Sequence, residues 1–342
     1  MPKGLSPRRL AVAGLLLLVV VLGVLVFAPA DDTYIFLPNE AHSVEPLVKV
    51  EGRRPRDDPG GIYFVDVLVR KASLLERLFP GLRDGSRLVP AEALNPTGIS
   101  DDARRQGNLR QMTRSQRIAA AVAFREVDYD VKADPAGALV ALVAPGSPAS
   151  KKLQPTDIIV AVDGAPVRTP GDLRRLLGRR EPGDSARLGV RRGTDRLRFS
   201  LRTVRDDETG RPVIGVLVEQ AADIRLPLDV EIDTGDVGGP SAGLAFTLEL
   251  LEQLGRDVDR GLDVAVTGEI ELDGRVGAVG GIQQKVIGAK RSKVDVFVVP
   301  TGDNAAEARR YGDGVRVLAV RTLDEALRGL ATIAAEQRQA AP

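Results

Sequence analysis

Two residues 44 positions apart, a serine and a lysine, carry the chemistry that this sequence most readily supports. Ser241 lies in the run Gly238-Gly239-Pro240-Ser241-Ala242-Gly243, and Lys285 closes Gly280-Gly281-Ile282-Gln283-Gln284-Lys285. The chain has no Cys and a single His, His42, far from both in sequence. Cys–His and Ser–His–Asp arrangements are thereby largely excluded, and a serine activated by a lysine amine is the main option left. Such a lysine must be mostly neutral, although an unperturbed amine titrates near ~10.4. Bringing it toward ~7–8 takes about 4 kcal/mol of bias against the ammonium form, which apolar burial can supply. Ala278, Val279, Ile282 and Val286 are the residues available for that pocket. A serine in a glycine-rich turn is also an ordinary helix cap, so Ser241 alone decides nothing.

The surrounding pattern supplies elements to hold the pair. Pro240 and Ser241 open a helix running to about Leu254, with Leu244, Leu248 and Leu251 on one stripe and Gly255 at its end. Leu262–Thr267 reads as a strand, Glu269–Val276 as a hairpin turned at Asp273-Gly274, and Ile282–Lys290 as a helix. Val294–Val299 is a short apolar strand ended by Pro300, and two further βα-like elements follow. Upstream, Val213–Val218 and Leu228–Ile232 alternate like strands. The unit is therefore placed at residues 211–335 and read as α+β.

These motifs, in this order, resemble the proteolytic domain of the Lon (S16) serine protease family. Gly239–Gly243 matches its Gly-Pro-Ser-Ala-Gly nucleophile motif, Thr267-Gly268-Glu269-Ile270 its Thr-Gly-Glu-Ile stretch, and Gly280, Gly281 and Lys285 its Gly-Gly-x-x-x-Lys motif. The resemblance implies Ser241 as nucleophile and Lys285 as general base. Thr267 fits as a hydroxyl that orients the amine. Glu269 should not lie directly against Lys285, because a free carboxylate would raise the amine's pKa. Backbone N–H groups around Gly239 and Ala242 are candidates to meet an oxyanion at the start of a helix. Many Lon proteases carry an acid three residues before the serine; here that position is Gly238, and the nearest acid is Asp236. Membrane-anchored relatives that join a PDZ domain to a Lon-type domain carry Gly-Gly-Pro-Ser-Ala-Gly, and the departure points toward them.

Residues 120–205 have a different pattern. Gly146-Ser147-Pro148-Ala149, Leu153-Gln154-Pro155-Thr156-Asp157-Ile158-Ile159 and Val162-Asp163-Gly164 resemble a PDZ domain of the bacterial protease-associated type, a partly open β-barrel. The resemblance implies that an extended peptide or a chain end adds alongside a strand. Gly137, Leu139 and Val140 are the expected loop and strand for it; Leu139 and Val140 fit the core equally well.

The N-terminus adds a possible location. Leu10–Ala28 is 19 residues without a charge, which as a helix spans about 28 Å. Lys3, Arg8 and Arg9 precede it, and Asp31 and Asp32 follow. The positive flank implies a cytoplasmic tail at 1–9, a transmembrane helix at 10–28, and later domains outside the cytoplasmic membrane. Ala28-Pro29-Ala30 also fits a signal-cleavage site, but the apolar stretch exceeds the roughly 7–15 residues usual there. Residues 31–117 are expected to pack on the later domains, with Ile62–Val69 as a strand and Thr113–Val127 as a helix. His42 reads as a surface or packing residue, and Arg53, Arg54 and Arg56 as a solvated loop.

Composition narrows the rest. A net charge of +1 with 28% charged residues gives no reason to expect nucleic acid. Without Cys, disulfides, thiol chemistry and zinc-ribbon sites are excluded, and with one His neither a structural metal site nor a cofactor is expected. No Gly-x-x-x-x-Gly-Lys-Ser/Thr run occurs, so the expected proteolysis is ATP-independent. The sequence thus points to a membrane-anchored serine endopeptidase acting on protein or peptide substrates. The alternatives are a non-catalytic PDZ scaffold and a chain that cleaves chiefly itself. Ring assembly of Lon proteolytic domains implies a homo-oligomer, which nothing in this sequence fixes.

Overall fold

The computed structural model describes residues 7–53, 59–94, 101–206 and 210–340. Arg54 and Arg56 of the basic cluster, and Lys3 of the N-terminal flank, lie outside these. A mixed six-stranded sheet organises most of the rest. Its order is Arg316–Val320, Val296–Pro300, Asp263–Val266, Gly61–Ser73, Pro29–Ser43 and Arg87–Pro90. The first four strands are parallel, and the last two join antiparallel. Val296–Pro300 is buried at every residue, as expected of a strand covered on both faces. Three of the six strands come from residues 29–90, so this region is part of the same sheet as the strands around Thr267.

The helix Gly243–Gln253 is buried throughout and packs against the long helix Asp101–Glu126. Ile118 to Phe124 of the long helix join Leu244, Phe246, Leu248 and Leu251 in one core. The helix expected at Thr113–Val127 is therefore the second half of a longer one, and it belongs to this core and not to the PDZ unit. On the other face, the helix Ile282–Arg291 packs over strands Pro29–Ser43 and Gly61–Ser73. The strand expected at Leu228–Ile232 is Val230–Ile232, paired with Val48–Val50.

A second sheet, ordered Val216–Arg225, Lys132–Val143, Ile158–Val162, Ser185–Arg192 and Asp195–Arg202, has its own core. The helix Pro170–Leu177 covers it, started by a Thr169–Asp172 capping box and burying Leu173, Leu176 and Leu177. Of the segment Val213–Val218, expected to open the proteolytic unit, Val216–Val218 instead belong to this second sheet, and Val213 pairs with Val204 in a separate two-stranded one. Val216–Arg225 pairs with Lys132–Val143 from Val216–Val143 to Arg225–Lys132. Alternation marks a strand but does not say which sheet it joins.

The N-terminal helix spans Pro7–Phe27. Beyond Arg8, its described side chains form an uncharged run, Ala11–Phe27, and among the described residues no helix is long and apolar enough to cross a membrane.

Candidate active site

Ser241 sits just before the buried helix and does not cap it. The N-cap is Ala242, with no side-chain cap bond, and the helix begins at Gly243. The Ser241 hydroxyl instead accepts a hydrogen bond from Lys285 Nζ at 2.8 Å. The same amine donates to Thr267 Oγ1 at 2.9 Å. Thr267 is fully buried, and its own hydroxyl donates to the Ser241 carbonyl at 3.2 Å. That carbonyl also accepts the Gly268 N–H at 2.8 Å. Thr267 therefore fixes both the lysine amine and the serine backbone, and Ser241, Thr267 and Lys285 form one hydrogen-bonded cluster.

The neighbouring turn is held from the long helix. Ser115 Oγ donates to the Pro240 carbonyl at 3.0 Å, and the Gly239 N–H donates to the Asn108 carbonyl at 2.9 Å. Gly243 lets the two helices approach, since a Cβ there would fall 2.5 Å from Ser115 Oγ. Gly239, expected as an oxyanion donor, thus has its N–H engaged by Asn108. Ala242 is buried at the helix start, immediately after the nucleophile.

Lys285 is 3% exposed and lies on the same helix as the buried Ile282 and Val286. Burial lowers its pKa to about 8, against a smaller opposing effect of the Asp66 carboxylate. Ile282, Val286 and Val279 pack in a core beside it, as expected, whereas Ala278 is exposed. Glu269 keeps away from the amine. It faces Arg114 at 3.9 Å, and burial raises its pKa. The acid that does act on Lys285 is Asp66, which the sequence reading did not single out. Asp66 accepts from Asn39 Nδ2 at 2.9 Å and lies 3.3 Å from His42 Nε2. His42 therefore comes within one residue of the lysine's surroundings, although it is distant in sequence and contacts neither Ser241 nor Lys285. Only the strand pairing of Pro29–Ser43 with Gly61–Ser73 brings these groups together.

Ser241 and Lys285 open onto a cleft of about 730 Å³. Phe36, Val67 and Met112 give it apolar walls, and Arg104 and Arg105 a basic edge. Asp236 lies at the same cleft, exposed and paired with Arg105 at 2.8 Å. Most of these walls come from residues 34–112, where the sequence offered no motif.

The peptide-binding expectation at Gly137, Leu139 and Val140 is corrected. These residues lie inside the second sheet with both strand edges occupied. Leu139 pairs with Glu219 on one side and Ile158 on the other. The Gly137 N–H is given to the Arg168 carbonyl, and that of Val140 to Asp157. Leu139 and Val140 are 4% and 0% exposed and belong to the packed interior. Gly137 is needed for a tight approach, since a Cβ there would fall 2.6 Å from Ile158. A strand with no free edge cannot accept another by addition.

Comparison with known proteins finds one known domain on each of the two cores, with boundaries that differ from theirs. Residues 226–330 match the Lon protease (S16) C-terminal proteolytic domain, and residues 112–203 match the PDZ domain. The chain carries a Lon-type proteolytic domain and a PDZ domain. Lon protease 1 of Sorangium cellulosum is 36% identical over 135 residues, covering 35% of this chain and 16% of that protein. Lon protease of Aquifex aeolicus is 47% identical over 62 residues, covering 18% of this chain and 8% of that protein. The chain thus spans less than a fifth of the length of these relatives. The PDZ domain of an SdrC-like protein from Listeria innocua is 24% identical, with a TM-score of 0.24, over 24% of this chain and 93% of that one. The Lon-type match begins at residue 226, directly after the strand Val216–Arg225 that closes the PDZ sheet.

Proposed function

We propose that this chain is a serine endopeptidase with a Ser241–Lys285 dyad. The observation that carries the reading is the buried Lys285 amine, 2.8 Å from Ser241 Oγ and 2.9 Å from Thr267 Oγ1. Neutral Lys285 takes the hydroxyl proton as Ser241 Oγ attacks the peptide carbonyl carbon. The ammonium then gives that proton to the departing amine as the C–N bond breaks, leaving an ester on Ser241. Water attacks the ester, Lys285 again accepts a proton, and the carboxylic product leaves as Ser241 recovers its own. The Ala242 N–H, at the positive end of the buried helix, is the donor assigned to the oxyanion. No step uses a nucleotide. Flexible or unfolded segments suit an open cleft of this kind.

In the same reading, peptides add to the PDZ domain at Val216–Glu219. This is the first half of the sheet's edge strand; the helix Pro170–Leu177 packs against that strand, and Leu217 is 62% exposed on it. The N-terminal helix is assigned as an anchor. At 1.5 Å per residue its 21 residues span about 31 Å, the sequence is uncharged from Leu10 to Ala28, and Leu15 to Val21 are about half exposed or more. The basic flank supports a position of both domains on the outer side of the membrane.

The dyad is tested with Ser241→Ala and Lys285→Met in the full chain, on an unfolded polypeptide substrate, with and without ATP and magnesium. Both variants are expected to lose cleavage while circular dichroism is unchanged, and ATP is expected to have no effect. A folded variant that cleaves at the parental rate would refute the dyad.

A further inference from the structure

The foot of the N-terminal helix is not isolated. The Ala28 carbonyl accepts the Leu74 N–H at 3.0 Å, and the short helix Leu74–Leu78 packs against the end of Pro7–Phe27. The residues that follow expose large apolar side chains to an unusual degree. Leu78 is 62% exposed, Phe79 59% and Leu82 56%, near Phe27 at 85%. Among the described residues outside the N-terminal helix, the other large exposed apolar residues are the neighbours Leu68 and Val69, the register partners Leu142 and Leu217, and Val204, so none of these groups has more than two members. Grouped apolar exposure of this kind marks a contact surface.

The tip is built to be held rigidly. Ser73 and Glu76 form a reciprocal capping box at its start. Glu76 is 4% exposed and takes two bonds from Arg70, at 2.8 and 2.7 Å, and one from Arg83 Nε at 2.5 Å. One buried carboxylate therefore ties the strand before the tip to the loop after it. A loop that merely connected two strands would not need a buried, three-way charged clamp beneath an apolar tip. Arg77 and Arg83 flank the tip, but both are already paired, with Asp32 and Glu76. Attraction to anionic headgroups is therefore a minor contributor here.

We propose that Leu78, Phe79 and Leu82 insert into the interfacial layer of the bilayer that holds the helix Pro7–Phe27, as a second and shallower membrane contact. The partner is the boundary between headgroups and acyl chains of a neutral or anionic membrane. Burying these side chains there follows the same transfer of apolar surface from water that drives interfacial helices. The loop runs directly into the strand Arg87–Pro90, which edges the central sheet. Two contacts would fix the orientation of the catalytic cleft relative to the membrane, where a single helix leaves rotation about its axis free.

The inference rests on the anchor assignment, and the test separates the two. The parent chain has no cysteine, so single substitutions Val19→Cys, Phe79→Cys, Leu82→Cys and Arg196→Cys each carry one environment-sensitive fluorophore. The full chain is reconstituted in phosphatidylcholine nanodiscs containing lipids spin-labelled near the headgroup or at the acyl end. Positions 79 and 82 are expected to lose fluorescence to the shallow label, position 19 to the deep one, and position 196, in the PDZ sheet, to neither. Quenching at 19 with 79 and 82 behaving like 196 would overturn the second contact and leave the anchor standing. No quenching at 19 would overturn the anchor, and the second contact with it.

Discussion

Lys285 pays for its reactivity in stability. Its pKa falls from an ordinary amine value to about 8 because the charged form is desolvated at a nearly closed site. The sign follows from linkage. The folded state binds the proton less tightly than the unfolded state, so the group destabilises the fold at pH below about 8, and the penalty fades as pH rises toward the unfolded value near 10.5. The full penalty is about 3 kcal/mol. Two outcomes are expected of the same residue. The parent's kcat/KM should rise with pH and reach half its limit near pH 8. Lys285→Met should be inactive yet more stable than the parent at pH 6, with the difference shrinking by pH 9, as read by denaturant titration. A Lys285→Met variant less stable at pH 6 would show that the amine is not a buried, strained base. The serine and lysine were legible from the sequence because motif residues with few alternatives carry their chemistry. Asp66 was not, because only the packing of the helix Ile282–Arg291 over the strand Gly61–Ser73 brings its charge to bear on Lys285.

The buried helix Gly243–Gln253 has two jobs that conflict. It presents Ser241 at its start and fills the main core with every residue, including acids. Glu249 is 3% exposed, and burial raises its pKa to about 7, assisted by Glu252, Glu45 and Asp259. It accepts one hydrogen bond, from Gln253 Nε2 at 3.1 Å. Here the folded pKa lies above the unfolded one, so no cost exists below about pH 4.5. The cost grows as pH rises from about 4.5 to about 7 and is complete above that. Glu249→Gln keeps an acceptor for Gln253 and removes the charge. It is expected to raise Tm at pH 8, by the equivalent of about 3 kcal/mol, and to leave it nearly unchanged at pH 4. An equal Tm at both pH values would mean that Glu249 is not ionised against its surroundings. At this scale the apolar stripe of Leu244, Leu248 and Leu251 made the helix readable. Its full burial was not readable, since the covering helix is drawn from residues 101–126.

The PDZ domain interrupts the proteolytic fold and does not precede it. The central sheet takes strands from both sides of residues 132–225, and the long helix just before that stretch packs on the nucleophile helix just after it. The sequence sets residues 31–117 against the later domains, but local patterns cannot show that residues 29–126 and 226–340 share one core. The ends of the inserted sheet are adjacent, since Lys132 and Arg225 are register partners, so their Cα atoms lie about 5 Å apart. The long helix meets the insert through polar contacts, such as Arg117 to the Ile224 carbonyl at 2.8 Å and Arg114 to Glu219 at 3.5 Å, and through Ile224, Ala222 and Ala133 at the junction, which reach the main core, whereas the rest of the insert packs in its own core. Two deletions therefore have opposite outcomes. Removing residues 132–225 and joining the ends with a short Gly-Ser linker is expected to leave a folded chain in which a serine-directed fluorophosphonate still labels Ser241. Expressing residues 226–340 alone, although they contain Ser241, Thr267 and Lys285, is expected to give an unfolded product, because three of six sheet strands and the helix covering Leu244–Leu251 are missing. A soluble, cooperatively melting 226–340 fragment would show that the N-terminal strands are accessory, and the single-core account would fail.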